Sequence, residues 1–160
     1  MIRTAFLSEL EEITKLARVV AKNIHSFGID QWSDTYPNYQ NFENDLKQNG
    51  LFVFVKENKV LASITILEEN EAAYTCLSWH SNHAQVIHRL MVDPNFMRQG
   101  IASELMQFAI ENAIKNHFDS IKIDTHPDNL RMQRFILANH FEKRGYIESI
   151  NRIAYELLLI

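Results

Sequence analysis

Residues 86–105, which read VIHRLMVDPNFMRQGIASEL, decide the fold of this chain. Residues 86–92 are rich in apolar and β-branched side chains and predict a buried strand. The turn Asp93-Pro94-Asn95 ends this strand, because proline cannot donate to a sheet ladder and Asp and Asn favour turns. From Ile101 onward the apolar residues recur at the spacing of one helix face. The stretch therefore predicts a strand, a short turn and a helix.

The junction between this strand and this helix has the properties of an anion site. The first N–H groups of a helix have no partner within the helix, and the helix dipole makes that end positive. Gly100 and Ala102 have little or no side chain, so a phosphate group can approach the main chain closely. The alternative is an ordinary helix start with a solvated arginine. The predicted anion-binding residues are Arg98, Gln99, Gly100, Ile101, Ala102 and Ser103.

Composition narrows the class of protein. A chain of 160 residues with 46% apolar and 22% charged residues predicts one globular domain spanning residues 1–160. A net charge of −4 argues against a nucleic-acid partner. Cys76 is the single cysteine, which excludes an internal disulfide and favours a reducing cytoplasm. The sequence shows no signal peptide and no apolar run long enough to span a membrane, so we expect no membrane partner.

The rest of the chain predicts the element order β-α-α-β-β-β-α-β-α-β-β, an α/β or α+β sandwich. Ser8 is the predicted N-cap of the first helix, with Glu11 completing a capping box. Asn139 is the predicted left-handed cap at the end of the last helix. The predicted helices reach from Ser8 to about His25 and over 39–48, 100–116 and 130–138. The predicted strands cover 2–7, 51–55, 60–67, 86–92, 121–124, 141–147 and 153–159.

The junction resembles the acetyl-CoA loop of the GNAT superfamily of N-acetyltransferases. The family pattern Gln/Arg-x-x-Gly-x-Gly/Ala falls here on Met97-x-x-Gly100-x-Ala102, with both small positions matched and Met97 where Gln or Arg is usual. The element order resembles the GNAT fold over essentially the whole chain. The resemblance implies a mixed, mostly antiparallel central sheet flanked by helices, with acetyl-CoA (CoA) as cofactor. It also implies an acyltransferase that acts by direct attack of a primary amine in a ternary complex.

His88 is the candidate catalytic base. The attacking amine must lose a proton, and an ordinary histidine titrates close to neutral pH. On the predicted strand its side chain shares one face with those of Leu90 and Val92. The resemblance supports this role, since the position twelve residues before the loop glycine holds a base, usually Glu, in some GNAT members. The alternative is a structural histidine that is hydrogen-bonded within the sheet, for example to Asp124.

Further cofactor contacts are implied by the resemblance. Leu90, Met91 and Val92 would bind the pantetheine arm and polarise the thioester through their main-chain groups. Asn129 matches the asparagine that begins the next family motif and contacts the cofactor arm, and it is also a good helix N-cap. The family tyrosine, often the general acid for the thiolate, falls on Ile136, which cannot donate a proton.

Trp32 and Tyr36 are the candidate acceptor-binding residues, because the family lines its acceptor pocket with the region between the first two helices. Aromatic side chains can pack an acceptor or hold an ammonium by a cation–π contact, but they are also common packing anchors. The histidine spacing predicts no metal site. We expect a small-molecule or peptide amine as the partner and leave a homodimer open. The alternative function is a non-catalytic acetyl-CoA-binding module.

Overall fold

A computed structural model of the chain describes residues 1–159. Within them it has seven strands and four α-helices in the predicted order, interspersed with short 3-10 turns. The predicted fold class is confirmed. The strands are β1 (Ile2–Thr4), β2 (Leu51–Lys56), β3 (Lys59–Glu68), β4 (Ala84–Val92), β5 (Ser120–Thr125), β6 (Glu142–Ile147) and β7 (Arg152–Leu158). The helices are α1 (Leu10–Ser26), α2 (Tyr39–Lys47), α3 (Ile101–Lys115) and α4 (Leu130–Ala138).

The strands form one mixed sheet in the order β1-β2-β3-β4-β5-β7-β6. The pairs β1–β2, β2–β3, β5–β7 and β6–β7 are antiparallel, and β4 pairs with β5 in parallel. The chain divides into two compact units. The first unit holds residues 1–67 and 88–108, and the second holds the remaining described residues. A single domain over 1–160 stays a prediction.

The first unit has its own apolar core. Alpha-helical spacing places one apolar stripe of α1 against β2 and neighbouring strands. The connection between α1 and α2 adds Trp32, and α2 adds Phe42, which is fully buried. The hairpin between β2 and β3 turns through Glu57 and Asn58, both with positive φ, as a two-residue hairpin turn requires. The buried stripe of α1 comprises Leu10, Ile13, Leu16, Ala17, Val20 and Ala21.

The start of α1 differs from the prediction that Ser8 is its N-cap. A 3-10 turn at Leu7–Glu9 precedes the helix, and Glu9 accepts a hydrogen bond from the Phe6 backbone N–H at 2.7 Å. The guanidinium of Arg3 donates to both oxygens of Glu9, at 2.9 and 2.8 Å. This ion pair fixes the Glu9 carboxylate at the start of the turn. Strand β1 accordingly ends at Thr4 rather than at residue 7.

The second unit contains the first half of β4, together with β5, β7 and β6. Parallel pairing joins Ala84–Ile87 to Ser120–Ile123. Helix α4 covers the predicted residues, but Asn139 is not the left-handed residue after it, because Asn139 has φ −92° and His140 has φ 70°. The left-handed residue comes one position later, since the Asn139 N–H still donates to the Phe135 and Ile136 carbonyls, at 3.2 and 3.1 Å, and its side chain donates to the Phe135 carbonyl at 2.8 Å.

Candidate active site

The second half of β4 carries a break in strand geometry at Arg89. Arg89 has φ 48°, in the left-handed region, inside a strand that runs from Ala84 to Val92. This conformation costs about 1 kcal/mol for a residue with a side chain. Around it, His88, Leu90 and Val92 are partly exposed, whereas Met91 is buried. The main-chain groups predicted to bind the cofactor therefore follow directly on a kink in the strand.

The junction between β4 and α3 is shaped by two residues with positive φ. Arg98 has φ 62° and Gly100 has φ 81°. The Gly100 carbonyl accepts the Glu104 N–H at 3.0 Å, so α3 begins directly after the glycine. The N–H groups of the first turn of α3, at Ile101 and Ala102, therefore have no carbonyl partner within the helix. This is the helix start that the sequence predicts.

The space in front of Gly100 is open. A Cβ atom built on this glycine would have no heavy atom within 4 Å. Arg98, Gln99 and Ser103 are exposed, and the Ile101 side chain is buried. Exposed donors at the positive end of a helix, with room for a bulky group, suit a diphosphate. The residues present therefore fit the phosphate-bearing cofactor that the sequence implies.

His88 is held in its neutral form. Burial, followed by the positive charge of Arg89, lowers the pKa of His88 from 6.5 to about 4, although the Asp45 carboxylate acts in the opposite direction. At neutral pH the imidazole is therefore uncharged, which is the form that a general base needs. It is also a weaker base than an ordinary histidine, so it can take a proton only from a group that has become strongly acidic.

A buried ion pair lies next to His88 in the chain. Arg89 donates from Nε and Nη2 to the two oxygens of Asp45, at 2.8 and 2.6 Å. Asp45 is 2% exposed and also accepts the Thr65 hydroxyl hydrogen at 2.7 Å. Arg89 Nη1 lies 3.1 Å from the Tyr36 hydroxyl oxygen. The structure thus brings Tyr36 to the residue that follows His88.

The segment between α1 and α2 is an ordered loop. Ser33 Oγ accepts the backbone N–H of Tyr36 at 3.0 Å, and the Ser33 N–H donates to the Tyr36 carbonyl at 2.9 Å. Arg18 donates to the carbonyls of Ser33, at 2.5 Å, and of Pro37. Trp32 is 7% exposed and belongs to the core of the first unit, whereas Tyr36 is 40% exposed. Of the two predicted acceptor residues, Tyr36 therefore offers the larger surface.

Two further predicted positions lie in the second unit. Asn129 Oδ1 accepts the Met132 N–H at 3.1 Å, so Asn129 caps α4. Ile136 is fully buried in α4 and carries no proton donor. All the other predicted site residues lie in the first unit.

Sequence reasoning did not single out Asp45, Arg89 or Arg18. Arg89 is the only Lys, Arg, Asp or Glu residue of β4, and Asp45 lies one turn after the fully buried Phe42 on α2. A charge in a buried pattern is a signal that it has a partner. The sequence does not identify that partner, because Arg89 and Asp45 are 44 residues apart.

Residues 1–159 contain no group of three or more His, Cys, Asp or Glu side chains arranged to hold a metal ion. None of the helices in this part of the chain is both long enough and apolar enough to cross a membrane.

Known proteins with the same architecture include acetyltransferases. A GNAT family acetyltransferase from Streptococcus agalactiae 2603 is 25% identical, covers 99% of this chain and 94% of its own, and gives a TM-score of 0.89. A GNAT family acetyltransferase from Listeria monocytogenes 4b F2365 is 20% identical over 99% and 94% of the two chains, with a TM-score of 0.81. The PaiA N-acetyltransferase from Thermoplasma acidophilum, in complex with coenzyme A, is 16% identical over 99% and 98%, with a TM-score of 0.78.

The sequence itself matches a family model. No functionally curated protein matches the chain. The model of the Acetyltransferase (GNAT) family, however, matches residues 10–141, which is most of the chain. The protein therefore belongs to the GNAT family of acetyltransferases.

Proposed function

We propose that the protein is an acetyl-CoA-dependent N-acetyltransferase that acts on a primary amine in a ternary complex. The observation that carries this proposal is the junction at Arg98 and Gly100. Both residues have positive φ directly before α3, and the space in front of Gly100 is open. This arrangement supports a diphosphate bound by successive main-chain N–H groups.

Three parts of the chain would contact the cofactor. The main chain of residues 98–103 would hold the pyrophosphate, with Arg98 adding a charge-assisted donor. The main chain of Leu90, Met91 and Val92 would orient the pantetheine arm and the thioester carbonyl. Asn129 would contact the arm while it caps α4.

Acetyl-CoA supplies an acetyl group that is activated as a thioester. The amine nitrogen of the acceptor forms a bond to the carbonyl carbon, and the carbon–sulfur bond breaks with its electron pair on sulfur. As the new bond forms, the nitrogen becomes strongly acidic, and His88 takes its proton directly or through a water molecule. This sequence of events suits the low pKa of His88. Water protonates the departing thiolate, whose thiol has an ordinary pKa of about 8.5.

Tyr36 and Trp32 would line the acceptor-binding site. Tyr36 would contact the acceptor, and Trp32 would anchor the loop that carries Tyr36. We take the acceptor to be a small-molecule or peptide amine. A reducing cytoplasm is the proposed location, in which the exposed Cys76 remains a free thiol. Met97 and Ile136 favour a second candidate function, a module that binds acetyl-CoA without turnover, since neither residue supplies the side chain usual at its position.

The test is release of the CoA thiol from acetyl-CoA in the presence of a panel of primary amines. We expect amine-dependent thiol release, and His88→Gln should lower kcat at least about 100-fold, the range of a lost general base. A His25→Gln variant serves as the control, because His25 is exposed on α1. Cofactor binding without release for any amine would favour the second candidate. Full activity of His88→Gln across the pH range would refute the base assignment.

A further inference from the structure

The buried Arg89–Asp45 ion pair lies beside His88 and acts on the proposed chemistry only through the charge that it places near the imidazole. Its geometry is bidentate, at 2.8 and 2.6 Å. The side chains are 14% and 3% exposed. A pair at this depth adds little net stability relative to apolar side chains of similar volume. Stability alone therefore does not account for it.

The pair connects several elements of the first unit. Asp45 comes from α2, and its Oδ2 also accepts the Thr65 hydroxyl of β3 at 2.7 Å. Arg89 comes from β4, where it holds φ 48°. Its remaining nitrogen, Nη1, reaches the Tyr36 hydroxyl at 3.1 Å, in the loop before α2. One guanidinium thus ties a helix, a strand and a loop together.

The hydrogen bond between Arg89 and Tyr36 has only one possible direction. An arginine side chain has donors and no acceptor, so the Tyr36 oxygen accepts. The Tyr36 hydroxyl hydrogen is therefore available to donate elsewhere, and the neighbouring positive charge strengthens it as a donor. Tyr36 is 40% exposed and its hydrogen bond to Arg89 lies at the surface, so a molecule from solvent can reach this hydroxyl.

We propose that Asp45 and Arg89 are positioning residues that hold Tyr36 so that its hydroxyl donates a hydrogen bond to an oxygen of the acceptor. This inference rests on the proposed function and deepens it. The preferred acceptor carries a carbonyl or carboxylate oxygen close to its amine. Lysine cannot replace Arg89 in this role, because an ammonium lacks the planar fork that contacts Asp45 and Tyr36 together.

Two amines that differ in this oxygen test the specificity. Alaninamide and isopropylamine share a methyl-bearing carbon next to the amine, and only alaninamide has the carbonyl. We expect Tyr36→Phe to lower kcat/KM for alaninamide about tenfold, mainly through KM, and to lower kcat/KM for isopropylamine much less. Tyr39→Phe is the matched control, since Tyr39 is a 41% exposed tyrosine at the start of α2. An equal effect of Tyr36→Phe on both amines, or no effect on either, would overturn the specificity.

A double-mutant cycle tests the positioning. If Arg89 acts through Tyr36, Arg89→Lys should already abolish the preference for alaninamide. Adding Tyr36→Phe to Arg89→Lys should then change kcat/KM by less than about twofold, because coupled residues are not additive. Independent effects, which multiply to about the product of the two single variants, would show that Arg89 does not position Tyr36.

Hydrogen exchange measures, without any acceptor, how firmly Asp45 and Arg89 hold Tyr36, and we call these three residues the clamp. The peptide covering residues 33–37 should exchange at least about tenfold faster than in the wild type in Arg89→Lys and in Tyr36→Phe. In the double variant it should exchange no faster than in either single variant. Peptides from β2 should keep their wild-type rates in all three. Unchanged exchange at 33–37 would overturn the clamp even in an active enzyme. If no amine is turned over while exchange behaves as expected, the proposed function and the acceptor preference fail and the clamp stands.

Discussion

Two glycines of this chain have nearly the same φ angle in very different places. Gly100 has φ +81° at the start of α3, and Gly28 has φ +78° after α1. Neither would place an added Cβ within 4 Å of another heavy atom. Replacement by alanine therefore introduces similar backbone strain at both sites, about 1 kcal/mol. Only at Gly100 would the new methyl group project into the space assigned to the diphosphate.

We expect Gly100→Ala to raise the Kd for acetyl-CoA about tenfold, which corresponds to about 1.4 kcal/mol. Gly28→Ala should lose a similar free energy of unfolding but keep the wild-type Kd. Titration calorimetry and urea unfolding of the two variants measure both quantities. The same change in Kd for both variants would count against the diphosphate site.

His88 also makes a prediction about pH and stability. Its pKa of about 4 in the folded protein lies below 6.5, the ordinary value expected in the unfolded chain. Between these values the unfolded chain binds more protons than the folded protein, so stability falls as the pH falls. We expect a loss of about 2 kcal/mol in the free energy of unfolding between pH 7 and pH 5.

Urea unfolding at pH 7 and pH 5 measures this loss, and His88→Gln should remove most of it. His25→Gln, on the exposed surface of α1, should retain the full pH dependence. If His88→Gln loses as much stability as the wild type over this range, the imidazole does not have the depressed pKa.

Helix α4 combines a capping role and a proposed binding role in one residue. Its start was predicted correctly, because asparagine caps a helix through contacts within one turn. Its last residue, Ala138, was also predicted correctly, but the left-handed residue was predicted one position early, at Asn139 instead of His140. A local pattern predicts the helix well and the conformation of the residues that follow it less well.

The two roles of Asn129 separate by substitution. Asn129→Ala should lose the cap to Met132 and about 1 kcal/mol of stability. Asn129→Ser keeps a capping oxygen, so we expect nearly wild-type stability and a severalfold higher Kd for acetyl-CoA. Thermal unfolding and calorimetry of both variants give the measurements. A wild-type Kd in Asn129→Ser would leave the residue with the capping role alone.

At the scale of the whole molecule, we expect cofactor binding to raise the stability of the folded protein. A ligand that binds only the native state, at a hundred times its Kd, adds about 2.7 kcal/mol to the free energy of unfolding. We expect acetyl-CoA and CoA to raise the melting temperature, and NAD and ATP to leave it unchanged at the same concentration. No rise with acetyl-CoA or CoA would refute the cofactor assignment. An equal rise with ATP would reduce the junction to a general phosphate site.

Local patterns were enough to predict the order of strands and helices and the start of α3. The apolar spacing of α1, the turn at Asp93-Pro94 and the glycine at position 100 act over a few residues. Neighbours in the chain therefore suffice to establish them. The tertiary structure alone decided that Arg89 turns left-handed, that Asp45 is its partner and that Tyr36 lies against it. These contacts join residues 44 and 53 positions apart, and burial, which lowers the pKa of His88, exists only once the chain has packed.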